Sequence, residues 1–294
     1  MKIGSVFGVD VRLNRFFLLL FFLYFLLGVL PQGLIAFGVV IIHELAHVIT
    51  ATGYGIRVRE VELLPFGGVA RIEAGLEENP ATESVVALAG PLTNGIMLVA
   101  ALGAKKLGWG NPEWLPFFMR ANVLVGCFNL LPALPLDGGR VYRAWLAGRV
   151  GLKEATERAA DLGRLFAIGF AGVGLFALVH GKTDYNLFVA AVFLYYAASR
   201  EKGSAMYLFL RYLARKKAVL ARRGAMLSRQ VVAAETTPLK DLVRYFVPGK
   251  YHLVTVLDHN RRVRRVLTET EVIDGMLTYG WYLPVGDLPD GRRQ

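Results

Sequence analysis

"FGVVIIHELAHVITATG", residues 37–53, decides how this chain is read. His43, Glu44 and His47 stand in the middle of a run apolar enough for a lipid bilayer. An ionisable side chain in hydrocarbon is costly unless it has a partner or a function. The pattern is His-Glu-x-x-His. Residues i and i+4 of a helix share a face, so both imidazoles can hold one metal ion. Glu44, beside them, can then take a proton from a water at that ion. Two core histidines bonded to backbone are the alternative, and the neighbouring glutamate weighs against it.

The composition supports a membrane setting. Of 294 residues, 54% are hydrophobic and 19% charged, against about 45–50% and a quarter in soluble domains. The net charge of +11 is uneven, because residues 200–294 hold 18 Lys/Arg against 9 Asp/Glu. An apolar body with a basic tail follows. The single cysteine, Cys127, excludes an internal disulfide and a thiolate zinc cluster. In its apolar stretch it reads as a small buried hydrophobe.

Six apolar windows have spanning character: 13–30, 34–52, 84–103, 117–133, 162–180 and 185–199. The first lacks a small-x-small cleavage site and is read as a retained span rather than a signal peptide. Lys and Arg concentrate in 1–12, 53–83, 134–161 and the tail, which places both termini in the cytoplasm. Residues 58–73 alternate and then turn at Pro65-Phe66-Gly67-Gly68, as a β-hairpin does. The expected fold is thus an α-helical membrane protein of about six spans with a short β-hairpin loop, followed by a small soluble α/β domain. Its parts are 1–200, a basic amphipathic helix within 201–227 that serves as solvated linker or lipid contact, and 228–294.

Catalytic zinc takes three protein ligands and leaves a position for water. Asp137, in "LPLDGGR", is the candidate third ligand. Pro132 and Pro135 break the span just before it, and broken backbone at membrane depth must be buried or line a cavity. A helix N-cap is the competing role for Asp137, and His180, at the opposite membrane face, is the competing ligand. Two nitrogens, one oxygen and an open position suit zinc among divalent ions. Asn129, just before the break, either holds a developing oxyanion or caps the broken helix. Asn94 packs or hydrogen-bonds between helices.

HELAH in the second span, the "PFGG" loop, "AGPLTN" and "NLLPALPLDGG" together resemble the site-2 protease family of intramembrane zinc metalloproteases. The short N-terminus, six spans and C-terminal domain resemble its sporulation branch, the stage IV protease that processes pro-sigma-K. The resemblance implies zinc ligands at His43, His47 and Asp137, Glu44 as general base, and Asn129 near the active site. It implies a membrane-inserted, pro-sigma-K-like substrate, inhibitory and assembly partners in the same membrane around the forespore, and no direct contact with nucleic acid.

The tail resembles one cystathionine-β-synthase (CBS) domain, a module that binds ATP or other adenine nucleotides. Its T-x-x-D ribose contact appears as Thr268-Glu269-Thr270-Glu271, with Glu for Asp and no glycine upstream. Such modules pair, which implies a homo-oligomer. A CBS-gated membrane metal-ion transporter is the alternative function, since intramembrane histidines and carboxylates also mark ion paths.

Overall fold

The computed structural model describes residues 2–6, 9–13, 22–56, 58–64, 67–72, 76, 79–181 and 185–289. The expected first span falls largely outside these; residues 22–26 are helical. The chain divides into two compact units, Met1–Tyr142 with Ala159–Glu201, and Arg143–Arg158 with Lys202–Gln294.

In the first unit α1 (Leu30–Gly53) carries HELAH, with Pro31 in its first turn, where a missing N–H costs nothing. The next helix, α2 (Pro80–Lys106), is started by Asn79, whose side chain accepts from the Thr82 N–H. Glu83 in its first turn and Lys105 and Lys106 in its last complement the helix dipole. The shorter α3 (Trp114–Asn129) has 16 residues, about 24 Å at 1.5 Å per residue. It stops before Pro132, four residues short of the expected span end. A helix not expected from the sequence, α4 (Asp137–Val150), begins at the candidate ligand.

The expected span 162–180 is the second half of α5 (Leu152–Val179). The sixth window and the linker helix form one helix, α6 (Tyr185–Arg223). Both extensions have the same cause. The added turns are rich in Ala, Leu, Glu, Lys and Arg, which favour helix without being apolar. Among the described residues, α1, α2 and α5 are long and apolar enough to cross a membrane.

These helices are built inside out compared with a water-soluble bundle. On α2 the exposed residues include Leu92, Ile96 and Val99, while Thr82, Gly90, Pro91 and Asn94 are buried. On α3, Val123 and Leu124 face outward and Asn122 is buried. In lipid the apolar solvent drives no burial, so small and polar residues fill helix contacts. Cys127 departs from expectation for the same reason. It is exposed, on an outward face where a small hydrophobe is at ease.

A four-stranded sheet accompanies the bundle: β1 (Lys2–Val6), β2 (Val9–Leu13), β3 (Val58–Leu64) and β4 (Gly67–Ile72), in that order. The β3–β4 pair is the expected antiparallel hairpin, with Leu64 opposite Gly67; its turn, Pro65-Phe66, lies outside the described residues. The β1–β2 pair was not expected, and β2 runs parallel to β3.

In the second unit β5 (Ser228–Ala234), α7 (Leu239–Val243), β6 (Tyr251–Leu257), β7 (Val263–Thr268) and α8 (Glu269–Tyr279) follow one another in the expected strand–helix–strand–strand–helix order. The sheet order is β5-β6-β7, parallel and then antiparallel.

Candidate metal centre

Helix α1 packs against α2 and α3, and its buried face includes Val39, His43, His47 and Ala51. The helical spacing therefore turns both imidazoles inward. Asp137 arrives from the break between α3 and α4. Its approach depends on Gly138 and Gly139, where a Cβ would collide with the carbonyl oxygen of Leu130 and the backbone of Ala133. The broken segment is satisfied internally: Leu134 N–H donates to Ala159 O at 3.1 Å and Leu136 N–H to Ala133 O at 2.9 Å. Ala133, Leu136, Ala167 and Leu194 pack together around it. The condition for irregular backbone inside a membrane bundle is met.

Three ligand atoms converge. Asp137 Oδ2 lies 3.1 Å from His43 Nε2 and 3.1 Å from His47 Nε2, and the two Nε2 atoms are 3.2 Å apart. All three residues are buried. His47 Nδ1 lies 2.7 Å from Val86 O. A carbonyl only accepts, so the proton is on Nδ1 and the Nε2 lone pair faces the cluster. His43 Nδ1 is engaged by Asn94 Oδ1 at 2.5 Å. A carboxylate oxygen and imidazole lone pairs pointed at one another repel unless a cation lies among them. The donor set fits zinc, with two nitrogens and one oxygen. Glu44 is half-buried on the same helix.

Gly90 belongs to this centre and was missed in the sequence. A Cβ there would stand 2.6 Å from His43 Nε2 and collide with His47 Nε2. The available signal was a Gly-Pro pair inside an apolar window, since a strand or helix glycine often marks close approach of backbone to a ligand. Asn122 was also missed; it hydrogen-bonds to Asn94 at 3.1 Å, and its signal was a second carboxamide, besides Asn129, within the apolar window 117–133.

The other candidate positions make the following contacts. Asn129 is half-buried at the end of α3 and donates its side-chain N–H to Val125 O at 3.0 Å, within its own helix. His180 is exposed, with Nδ1 2.8 Å from Phe176 O. Thr268 and Glu271 form a capping box on α8: Thr268 accepts from Glu271 N–H, and the Glu271 carboxylate accepts from Thr268 N–H at 2.7 Å. T-x-x-E is the sequence signature of such a box.

A His-Glu-x-x-His helix joined by a distant aspartate, buried among apolar helices, defines a membrane-embedded metalloprotease centre. The family model described as Peptidase family M50 matches residues 32–110 and 96–170. Rip3 of Mycobacterium tuberculosis, named as a zinc metalloprotease, is 33% identical over 71% of this chain and 54% of its own length. Stage IV sporulation protein FB of Bacillus subtilis is 27% identical, over 60% of each. The solved site-2 protease of Methanocaldococcus jannaschii is 28% identical, with a TM-score of 0.57 over 69% of this chain and 94% of that one. Residues 32–170 thus match the site-2 protease (M50) family of zinc metalloproteases, and the chain is a membrane protein. It spans little more than half the length of these two sequence relatives.

Proposed function

We propose that the chain hydrolyses a peptide bond in or next to a membrane-inserted segment of a protein substrate, with zinc held by His43, His47 and Asp137. The observation that carries this reading is the convergence of three buried ligand atoms, with Glu44 next in sequence to His43 on the same helix. When bound, zinc polarises the substrate carbonyl and makes water a nucleophile near neutral pH. The Glu44 carboxylate takes the water's proton and returns it to the leaving amine nitrogen. His43 and His47 keep their protons on Nδ1, so neither donates into the cluster. A helical substrate must open before its carbonyl can be attacked. The edge strand β4 offers backbone to which an extended peptide can add.

The finer reading is a six-span protease with cytoplasmic termini that removes the pro-sequence of a sporulation sigma factor. It is supported by the motifs above and by the likeness to stage IV sporulation protein FB. The second unit is read as a CBS module on its element order. ATP binding, pairing with a second copy, and inhibitory or assembly partners in the membrane belong to the same proposal.

Co-expression with a pro-sigma-K-type substrate tests it. Wild type yields processed product on a gel and Asp137→Asn does not. Wild type that binds zinc but leaves this substrate intact overturns the sigma-factor reading alone.

A further inference from the structure

The metal centre has a polar relay behind it. Asn122, on α3, donates from Nδ2 to Phe118 O at 2.9 Å. Its Oδ1 accepts from Asn94 Nδ2 at 3.1 Å. Asn94 Oδ1 in turn engages His43 Nδ1 at 2.5 Å. Asn94 and Asn122 are 2% and 1% exposed, so neither amide has water as an alternative partner. Gly126 makes the meeting possible: a Cβ there would stand 3.2 Å from Asn94 Cβ, so α3 approaches α2 at this level.

The chain of bonds has only one consistent direction. Phe118 O is a backbone carbonyl and only accepts, so Asn122 must turn its NH2 toward it. That leaves Asn122 Oδ1 facing Asn94, which must answer with its own NH2. Asn94 then presents Oδ1 to His43, and an acceptor there requires the imidazole proton on Nδ1. His43 Nε2 is left as a lone pair aimed at the metal position. A reversed Asn94 would place NH2 against Nδ1 and favour the proton on Nε2, where it blocks the ligand.

We propose that Asn122 is a positioning residue for the metal centre, holding His43 through Asn94 in the one tautomer and orientation that binds zinc. It touches neither metal nor substrate. In hydrocarbon the polarity of a buried amide pair cannot be reset by solvent, so the carbonyl of Phe118 sets the state of a ligand on another helix. Loss of such an outer partner typically lowers metal affinity by about 10–100-fold. The inference rests on the zinc reading above.

The test compares two near-isosteric replacements in the full chain in detergent. Asn122→Leu fills the same space, suits an apolar bundle and removes both links. Asn122→Asp, protonated in this buried setting, can still donate to Phe118 O and accept from Asn94. Zinc affinity is read by competition with a chelator, and ligand geometry by the visible spectrum of the cobalt-substituted protein. We expect Asn122→Leu to weaken zinc by about 10–100-fold and shift the cobalt bands, and Asn122→Asp to stay near wild type in both. If Asn122→Leu does not fold, Asn122→Ala removes the same acceptor and is read the same way. Equal affinities in wild type and the Leu or Ala variant overturn the relay, as does an Asp variant as weak as they are. A wild-type chain that binds no zinc overturns the metal centre itself.

Discussion

Gly90 on α2 lies against His43 on α1 so closely that a single added carbon would stand 2.6 Å from His43 Nε2. That space is where the ligand atoms converge. The backbone of α2 therefore forms one wall of the metal position, and glycine is the residue that leaves the position open.

Gly90→Ala is expected to lower bound zinc well below one per chain and to abolish proteolysis, with the helices retained. Metal analysis of the detergent-purified variant, beside circular dichroism, checks this. A variant that keeps full zinc would mean that α2 has room to withdraw.

The glycines after Asp137 act on folding of the break rather than on the metal directly. A Cβ at Gly139 meets the Ala133–Leu134 backbone, which cannot move aside as a side chain tip can. Overpacking of this kind costs about 1–3 kcal/mol. Gly139→Ala should lower the thermal midpoint in detergent and displace Asp137, while Gly148→Ala, whose Cβ meets nothing within 4 Å, should leave both unchanged.

In the second unit, Glu269 ties α8 to α6 and β6. Lys216 Nζ lies 2.8 and 2.7 Å from its two oxygens, and His252 gives it both its backbone N–H at 2.9 Å and Nδ1–H at 2.8 Å. His252 Nε2 accepts from Val247 N–H at 3.2 Å, which fixes that tautomer. Burial alone would raise the Glu269 carboxyl, but the His252 hydrogen bonds and the Lys216 charge hold it below its usual value of 4.5. Burial also lowers Lys216, with Glu269 recovering only part of the loss, so the acid side is where the contribution is read.

A carboxyl whose folded value is depressed stabilises fully above its unfolded value and loses that contribution as pH falls through the folded one. The unit should therefore loosen below about pH 4.5, its unfolded value. Glu269→Gln should remove part of this acid dependence and, by leaving Lys216 buried without its anion, cost about 3–5 kcal/mol at neutral pH. Hydrogen exchange of residues 228–288 in the full chain, measured against pH, reads both effects.

The centre was legible because its chemistry conflicts with its surroundings. His43, Glu44 and His47 in an apolar run, and Asp137 beside two prolines, stand out where each residue must justify its burial. The spans expected at 34–52, 84–103 and 162–180 could be read from hydropathy, but their ends could not. Nothing in the apolar pattern distinguishes α5 beginning at Leu152 from a span beginning near 162, because charged helix formers extend a helix without extending its apolar run. The β1–β2 pair escaped because its partner β3 is over 40 residues away and parallel. Gly90 and Asn122 were missed for a different reason: their importance lies in what stands opposite them, which spacing along one helix does not encode.

The central claim is that Glu44 moves the proton while His43, His47 and Asp137 hold the metal. Glu44→Gln separates the two roles, since it keeps the shape and removes the base. Zinc content and substrate cleavage would be measured on the same preparations of wild type and variant. The account predicts about one zinc per chain in both, as expected for a three-ligand catalytic site, with cleavage by wild type only. Equal cleavage by both would contradict it.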